Sequence, residues 1–429
     1  MNYVSTRGGI APVSLEVAIA AGLAPDGGLY VPEHIPAIEL ACPQTTLAQT
    51  AQQVLAPYFA GSGLLRHLPQ LCEAAFDFPA PLRALNGPDD HLLELFHGPT
   101  AAFKDYAARF LAETLARLRK PSDPTTTVLV ATSGDTGAAV AAAFHRRPGF
   151  RVLVLYPDGR VSPRQAHVLG SFGDNVQAMR VDGSFDDCQR LVKQALVDAS
   201  LRERLALTSA NSISLGRLLP QTAYYAHAAL DFHARHDTPL NFIVPTGNLG
   251  NALACWLARR MGLPIGAIVL AWNANDALPR YLDGEDYAPR ATVATLANAM
   301  DVGAPSNFER LRWWHPDDAG LRAGLRALRV DDAAIRDTIA HAPQRHGVVP
   351  CPHTAVGLQV LERLRATGDT GAWAVVATAH PAKFEGVVEP LVGHAVGPPP
   401  ALMAALARPS QAQSLLASYP ELREHLLTR

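Results

Sequence analysis

Lys104 stands in a setting that suits Schiff-base chemistry. It follows a loop broken by Gly98 and Pro99 and precedes apolar residues that recur every three or four positions, which predicts an amphipathic helix. The positive end of a helix and an apolar neighbourhood lower the pKa of an amine, and a partly neutral lysine attacks carbonyls. The alternative, a surface lysine beside an Asp105–Arg109 pair, describes most lysines, so Lys104 needs support from other segments.

A run of hydroxyl and carboxyl side chains lies between an apolar run and an Ala-rich helical pattern. Its sequence is Thr132-Ser133-Gly134-Asp135-Thr136-Gly137. Hydroxyls and free backbone N–H groups at such a turn suit a carboxylate or a cofactor oxygen. A structural alternative is that Ser133 or Asp135 only caps the helix. Capping and binding are compatible, so the segment stays a candidate binding site.

A glycine-bearing turn is the candidate for binding phosphate. The sequence Thr246-Gly247-Asn248-Leu249-Gly250-Asn251 follows an apolar run and opens a helical pattern. Its glycines allow tight turns, and free N–H groups at a helix start bind anions. The turn matches neither the Walker A motif nor the dinucleotide motif G-x-G-x-x-G, and no lysine lies nearby to neutralise a triphosphate. We therefore expect a single phosphate monoester, the alternative being a turn that binds nothing.

Two more polar segments also follow predicted strands. In the segment 209–217, Arg217 lies about one helical turn beyond the polar loop that contains Asn211 and Ser212, where its guanidinium could fork onto a phosphate. A surface helix start is the alternative for that segment. In the segment 377–383, Thr378 offers a hydroxyl. Each signal is weak alone, but a lysine, a monophosphate site and several hydroxyls at one sheet edge together suit pyridoxal phosphate.

The elements that must position these residues are alternating strands and helices. Short apolar runs predict buried parallel strands at 127–131, 152–156, 176–181, 205–208, 242–245, 267–271 and 374–377. Helical patterns follow several of them, at 137–146, 185–198 and 251–261. This alternation predicts an α/β fold with a parallel sheet covered on both faces, whose ligands lie beyond the carboxyl ends of the strands.

Changes of pattern along the chain predict three regions. Residues 1–88 show helical patterns punctuated by Gly and Pro, which predicts a mainly helical N-terminal domain. Residues 89–395 form the predicted catalytic region, with an irregular insertion at about 276–346 that includes an Arg-rich helical pattern at 321–329. Residues 396–429 are predicted to form a C-terminal helical tail.

Composition argues against several functional classes. The formal net charge of −2 gives no reason to expect nucleic acid or an anionic membrane as a partner. No apolar run approaches the ~18 residues of a membrane span, and the start does not resemble a signal peptide. The five cysteines and 16 histidines are dispersed, which predicts reduced thiols and no metal site. We expect a cytoplasmic protein.

The combination of segments resembles the threonine synthase family, within the tryptophan-synthase-β-like fold (fold type II) of pyridoxal-phosphate enzymes. The matching stretches are HGPTAAFKD, ATSGDTGAAVAAAF, SANSISLGRLLPQ, PTGNLGN, LANAMDVGAPSNFER and ATAHPAKF. The opening, MNYVSTRGG with APDGGLYVPE, is similar to that family's N-terminal domain. The resemblance covers nearly the whole chain and implies two open parallel-sheet lobes with an extra, mainly helical N-terminal domain.

The resemblance also implies how the cofactor is held. Lys104 would bind pyridoxal phosphate as a Schiff base, and residues 247–251 would hold its phosphate. Asp135 would lie beside the phenolic oxygen of the cofactor, where it must share a proton because two anionic oxygens repel each other. Thr378 would offer its hydroxyl to the pyridine nitrogen, which makes the ring a weaker electron sink than a carboxylate would.

The reaction implied is the conversion of O-phospho-L-homoserine and water into L-threonine and phosphate, by γ-elimination and then β-addition of water. This is the chemistry of a phosphate-eliminating carbon–oxygen lyase. Lys104 would move the protons. The candidates for the substrate carboxylate are Thr132, Ser133 and Thr136. The candidates near its phosphate are Asn211, Ser212 and Arg217.

Two alternatives stay open at this point. A phospho-lyase or dehydratase of the same fold would release ammonia and a 2-oxoacid, so its products would distinguish it. A binding protein without catalysis would have no need of a base at Lys104. For assembly, we expect a monomer or a homodimer with a small-molecule substrate.

Overall fold

The computed structural model describes residues 1–39 and 45–428, and this part of the chain contains thirteen strands and nineteen α-helices. The strands are β1 Tyr3–Ser5, β2 Tyr30–Pro32, β3 Leu82–Ala84, β4 Asp90–Glu94, β5 Thr126–Ala131, β6 Phe150–Pro157, β7 Val176–Asp182, β8 Ala206–Ser209, β9 Leu240–Pro245, β10 Ile265–Trp272, β11 Arg326–Arg329, β12 Trp373–Ala377 and β13 Gln413–Leu416.

The helices alternate with the strands through most of the chain. They are α1 Leu15–Ala21, α2 Leu47–Leu55, α3 Leu68–Ala75, α4 Lys104–Leu118, α5 Asp135–Phe144, α6 Pro163–Gly170, α7 Phe185–Val197, α8 Ala199–Arg202, α9 Leu215–Leu218, α10 Thr222–His236, α11 Gly250–Arg260, α12 Ala277–Leu282, α13 Phe308–Trp314, α14 Asp318–Gly324, α15 Asp332–Arg345, α16 Pro352–Ala366, α17 Glu385–Val392, α18 Pro400–Leu406 and α19 Tyr419–Leu427.

Two open sheets form the centres of two lobes. The six-stranded sheet has the order β11-β10-β9-β12-β4-β3, in which every neighbouring pair is parallel except β3 with β4. The five-stranded sheet has the order β13-β7-β6-β5-β8 and is parallel throughout. A separate antiparallel pair, β1 with β2, lies near the N-terminus. The predicted α/β fold with two parallel-sheet lobes is confirmed.

All seven strands predicted from apolar runs are present, as β5–β10 and β12. The other six described strands are not found by that criterion, namely β1, β2, β3, β4, β11 and β13. The prediction of a helix over 321–329 is wrong, because α14 ends at Gly324 and Arg326–Arg329 pairs with β10 as an edge strand. The leucines at 321, 325 and 328 have helical spacing, but they lie on the helix, in the connection and on the strand.

The predicted division into regions stays a prediction, and the elements give it more detail. Before residue 88, α1–α3 accompany the β1–β2 pair, while β3 pairs with β4 in the six-stranded sheet. The segment 276–346 contributes β11 to the same sheet. The C-terminal segment is not wholly helical, because Gln413–Leu416 forms β13 beside β7. Its backbone hydrogen bonds are satisfied by that pairing rather than by a helix.

Packing of the N-terminal helices on the catalytic region fixes the helix that carries Lys104. α3 packs against α4, and α2 packs against α10. Tyr106, two residues after Lys104, is fully buried with its ring centroid 4.3 Å from that of Phe78, and its hydroxyl donates to the Pro79 carbonyl. The start of α4 is thus held by aromatic packing and a hydrogen bond. Among the described helices, none combines the length and apolar character that crossing a membrane requires.

Candidate active site

One cavity gathers most of the candidate residues. It lies where the carboxyl ends of β5, β8, β9 and β12 face one another across the two lobes. Thirteen of the residues predicted from the sequence line it, namely Lys104, Ser133, Asp135, Thr136, Asn211, Ser212, Arg217, Gly247, Asn248, Leu249, Gly250, Asn251 and Thr378. Thr132 does not line the cavity, whereas His353, Gln189 and Lys193, which were not predicted, do.

Lys104 is the first residue of α4, and its surroundings favour a neutral amine. Its Nζ lies 5.1 Å from the centroid of the Phe103 ring. Burial lowers the pKa of Lys104 to about 8, opposed by the charge of Asp135 and reinforced by the charges of Lys383 and Arg217. About a tenth of this lysine is therefore deprotonated at pH 7, far more than for a lysine with the usual pKa.

The alternative pairing of Asp105 with Arg109 does not form. Asp105 is buried and accepts hydrogen bonds from the backbone N–H of Thr100 at 2.9 Å and from its hydroxyl at 2.6 Å. Arg109 instead binds Asp77 at 2.6 Å. The Asp105 carboxylate thus holds the loop that leads into Lys104, and burial raises the pKa of Asp105.

Backbone hydrogen bonds connect that loop to the end of β12. The Phe103 N–H donates to the Thr378 carbonyl at 2.9 Å, and the His380 N–H donates to the Ala101 carbonyl at 3.0 Å. Gly98 leaves no room for a side chain, because an added Cβ would lie 2.6 Å from Asp105 Cβ. These contacts bring Thr378 to the cavity beside Lys104, as sequence analysis required.

In the turn after β5, one predicted residue stabilises the turn and two others line the cavity. The Thr132 hydroxyl oxygen accepts hydrogen bonds from the backbone N–H of Gly134 at 2.9 Å and of Gly137 at 2.8 Å. Its side chain therefore stabilises the turn instead of facing a ligand, which corrects the expectation for Thr132. Ser133 and Thr136 are half-buried and line the cavity.

Asp135 has a partner that sequence analysis missed. Its Oδ1 lies 2.7 Å from Lys383 Nζ and accepts a hydrogen bond from Gln165 Nε2 at 2.9 Å. All three side chains are buried. Burial raises the pKa of Asp135, but the charges of Lys383 and Lys104 outweigh that effect and lower it well below its usual range. Asp135 is thus an ionised carboxylate held by an ammonium group.

The turn after β9 has the features expected of a phosphate site. Leu249 adopts φ 63° at the start of α11, and no side chain of that residue caps the helix. Since no side chain within the described residues caps this helix, its first N–H groups are available to a ligand. Gly247 is required by close packing, because an added Cβ would lie 2.4 Å from the Met300 carbonyl oxygen.

The two asparagines of this turn fix it to its neighbours. Asn248 donates to the Ser212 hydroxyl at 2.6 Å, which joins the turn to the segment after β8. Asn251 accepts hydrogen bonds from the hydroxyls of Tyr224 at 2.6 Å and Tyr225 at 2.9 Å. Its Nδ2 is buried and has no partner within the described residues. An unsatisfied buried donor beside free helix N–H groups favours an anionic ligand.

The segment after β8 supplies a buried guanidinium. Arg217 is 3% exposed and donates to the Ala210 carbonyl through Nη1, while its Nε has no partner within the described residues. Burial lowers the pKa of Arg217 to about 10, which leaves it charged at neutral pH. The Asn211 amide is engaged with the backbone of Ala131, donating at 2.7 Å and accepting at 3.2 Å. Asn211 therefore orders the cavity wall.

Two buried residues, Arg310 behind the cavity wall and His353 lining the cavity, were not among the site residues predicted from the sequence. Arg310 is fully buried and donates to the carbonyls of Tyr30 at 3.0 Å and Ile213 at 2.6 Å, so it ties the N-terminal pair of strands to the cavity wall. His353 accepts a hydrogen bond from the Ala299 N–H through Nε2 at 3.0 Å, and burial lowers its pKa to about 4. His353 is thus a neutral imidazole at the cavity.

The chemistry of this donor set fits pyridoxal phosphate. A lysine amine with a lowered pKa suits the aldehyde, and the start of α11 with the free Asn251 Nδ2 suits the phosphate. The Thr378 hydroxyl and the Asp135 carboxylate line the same cavity and suit the polar atoms of the ring. Within the described residues, no group of three or more His, Cys, Asp or Glu side chains is arranged to hold a metal ion.

Comparison with known proteins gives matches along the whole chain. The family described as pyridoxal-phosphate dependent enzyme matches residues 79–382, the threonine synthase N terminus matches residues 2–76, and the threonine synthase C-terminal family matches residues 354–425. The threonine synthase of Serratia marcescens is 39% identical to this chain over 97% of this chain and 96% of its own.

Two solved structures are similar over almost their full length. The crystal structure of threonine synthase from Escherichia coli has a TM-score of 0.92 to this chain at 36% identity, and the match covers 100% of both chains. The X-ray structure of pyridoxal-phosphate-bound threonine synthase from Brucella melitensis has a TM-score of 0.89 at 34% identity, covering 99% of this chain and 98% of that one.

Proposed function

The chain belongs to the threonine synthase family of pyridoxal-phosphate-dependent enzymes, and we propose that it converts O-phospho-L-homoserine and water into L-threonine and phosphate. The observation that carries the proposal is one cavity lined by a low-pKa lysine and by two residues, Asn251 and Arg217, whose buried donors Nδ2 and Nε have no partner within the described residues. Such a site suits a cofactor phosphate together with a phosphorylated amino acid.

The cofactor-side residues have separate tasks in this proposal. Pyridoxal phosphate, when bound, supplies the electron sink that stabilises negative charge next to the substrate amine. Lys104 holds the cofactor and, once its Nζ is released, accepts the proton from the substrate α-carbon and moves protons in the later steps. Residues 247–251 hold the cofactor phosphate. With the cofactor bound, Thr378 would offer its hydroxyl to the pyridine nitrogen and Asp135 would lie beside the phenolic oxygen.

The substrate-side residues orient the two anionic ends of O-phospho-L-homoserine. The hydroxyls of Ser133 and Thr136 hold the substrate carboxylate, supported by their place at the start of α5. Ser212 and Arg217 hold the substrate phosphate, with the buried guanidinium neutralising it as it leaves. Asn211 positions that wall through its hydrogen bonds to Ala131. Binding both ends aligns the β- and γ-carbons for elimination.

We extend the proposal to assembly and location. The protein acts in the cytoplasm as a monomer or a homodimer, with a small-molecule substrate and without nucleic-acid or membrane partners. The formal net charge of −2 supports the absence of a polyanionic partner. Size-exclusion chromatography with light scattering distinguishes the two assembly states.

The function is tested by an absorbance spectrum and a product assay on the purified protein. A band near ~410–430 nm, expected of a lysine-bound pyridoxal cofactor, should disappear in Lys104→Ala. Added O-phospho-L-homoserine should give phosphate and threonine in equal amounts. Ammonia and 2-oxobutyrate in place of threonine would instead identify a phospho-lyase of the same fold. No band after cofactor addition would contradict the proposal.

The phosphate assignment has its own variant. Arg217→Ala removes a charge-assisted hydrogen bond of about 1.5–3 kcal/mol, so affinity for O-phospho-L-homoserine should fall by about ten- to a hundredfold. The cofactor band serves as the control, because residues 247–251 remain intact. Unchanged substrate affinity would refute the assignment of Arg217.

A further inference from the structure

Lysine is rare in this chain, and its few positions are informative. Only four of the 37 Lys and Arg residues are lysine, at 104, 120, 193 and 383. Arginine and lysine can both provide a positive charge at the surface, whereas only lysine provides a compact ammonium group with three hydrogen-bond donors. Lys104 and Lys193 line the cavity, and Lys383 binds Asp135 of its wall. Lys120 is exposed beyond the end of α4 and lies outside the cavity.

The buried side chain of Lys383 contacts residues of both lobes. It is 1% exposed, in the turn that follows β12 of the six-stranded sheet. Its Nζ donates a hydrogen bond at 2.7 Å to the carbonyl of Thr100, which lies in the loop before Lys104. The same Nζ lies 2.7 Å from Asp135, the first residue of α5, which follows β5 of the five-stranded sheet. A buried ammonium is tolerated only with such partners.

The charged and titratable groups around Lys104 come from several elements. Asp135 of α5 is the carboxylate that acts most strongly on Lys104, and Lys383 and Arg217 oppose its effect. His353 of α16 also faces this group and is neutral. The carboxylate of Asp105 accepts hydrogen bonds from the backbone N–H and the hydroxyl of Thr100. Without Lys383, the negative charge of Asp135 would be left facing Lys104 in a buried site, where opposite charges attract strongly.

We propose that Lys383 is a positioning residue that binds Asp135 so that this carboxylate stays ionised without pairing with Lys104, which leaves the Lys104 amine free to react with the cofactor aldehyde. The inference rests on the proposed role of Lys104. Removing Lys383 and removing Asp135 change the charge facing Lys104 in opposite directions. The inference therefore predicts opposite shifts in the pH at which Lys104 reacts.

The test measures how the reaction of Lys104 with pyridoxal phosphate depends on pH. The full chain, freed of cofactor with hydroxylamine, is exposed briefly to pyridoxal phosphate across a pH series and reduced with borohydride. Mass spectrometry then quantifies the label on each lysine. In every chain that retains it, the exposed Lys120 acts as an internal reference, and in Lys120→Met the pH of half-maximal labelling is read from the Lys104 series alone. The readout is the pH of half-maximal labelling of Lys104, which does not depend on turnover.

The variants separate a charge effect from a structural one. In Lys383→Met, half-maximal labelling of Lys104 should move up by about one pH unit, so labelling at neutral pH falls by about tenfold. In Asp135→Asn it should move down, and in the double variant it should return towards wild type. Lys120→Met is the matched control and should leave the value unchanged.

Each outcome decides the inference. Opposite shifts in Lys383→Met and Asp135→Asn, with recovery in the double variant, support it. An unmoved value in folded Lys383→Met, or shifts of the same sign in both single variants, overturns it while the role of Lys104 stands. If thermal melting shows that Lys383→Met is unfolded, a downward shift in Asp135→Asn supports the inference and any other result overturns it. A wild-type chain unlabelled at Lys104 overturns the proposed function as well.

Discussion

Gly247→Ala should displace the phosphate-binding turn, residues 246–251, while leaving the other residues of the site in place. A Cβ at this position would lie 2.4 Å from the Met300 carbonyl oxygen, 2.7 Å from its Cα and 2.8 Å from its carbonyl carbon. All three are backbone atoms, and the Met300 N–H donates to the Ala297 carbonyl at 2.9 Å. No side chain can swing aside, so the turn itself must move by about 1 Å to restore van der Waals contact.

A displacement of this size acts on binding and on stability. The N–H groups at the start of α11 would no longer converge on one phosphate, and a misplacement of about 1 Å can reduce function by about a hundredfold. We therefore expect cofactor affinity to fall by about ten- to a hundredfold. Overpacking a tight site should also lower the free energy of unfolding by about 1–3 kcal/mol.

Gly250→Ala provides a matched control in the same turn. Its added Cβ would lie 3.5 Å from Asn307 Nδ2 and 3.7 Å from Ser212 Cβ, which are ordinary contacts. Alanine is also the better helix former at the start of α11. An absorbance titration with pyridoxal phosphate and a thermal melt measure both effects. Wild-type affinity in Gly247→Ala, or equal losses in the two variants, would refute the argument from close packing.

Three further predictions follow from charges at the cavity. Because the pKa of Lys104 is lowered to about 8, its labelling by pyridoxal phosphate should rise about tenfold per pH unit below that value and level off above it. A profile still rising at pH 10 would contradict this. Lys193 borders both the cavity and the groove outside it. Lys193→Gln should lower kcat/KM for O-phospho-L-homoserine several-fold at low salt but little at high salt, and Lys120→Gln should change neither. Burial lowers the pKa of His353 to about 4, so between about pH 6.5 and 4 only the unfolded chain gains a proton there. The free energy of unfolding should therefore fall as pH drops through this range, by about 3 kcal/mol at most. Denaturant unfolding at a series of pH values measures this fall. In His353→Gln the fall in the free energy of unfolding should be smaller but not absent, because burial also lowers the pKa of His380. An unchanged fall in this variant would contradict the lowered pKa of His353.

Sequence was informative wherever a local pattern determined the structure. Parallel strands buried on both faces are continuous apolar runs, so β5–β10 and β12 could be located from composition alone. Because ligands of such sheets lie beyond the carboxyl ends of the strands, the polar segments after β5, β8, β9 and β12 could be assigned to one site. The Arg326–Arg329 edge strand could not be located, because its one leucine, Leu328, continues the helical spacing of Leu321 and Leu325.

Side-chain direction and long-range partners account for the remaining differences. Thr132 was a reasonable ligand by residue type, but whether a hydroxyl caps a turn or faces a cavity depends on rotamer and packing. The Asp135–Lys383 pair joins segments far apart in sequence, and no local spacing indicates it. Two signals could have pointed to Lys383, namely the rarity of lysine and its place in the stretch ATAHPAKF. Arg310 likewise joins three distant segments.

The order of strands in the six-stranded sheet has a consequence for synthesis. β12 lies between β9 and β4, yet it is formed by Trp373–Ala377, near the end of the chain. The ribosome therefore delivers the central strand after both of its neighbours. Until then, β4 and β9 present unpaired edges, which are prone to association with other chains. We expect the nascent protein to rely on chaperones, and a chain that stops before residue 373 to lose the whole sheet.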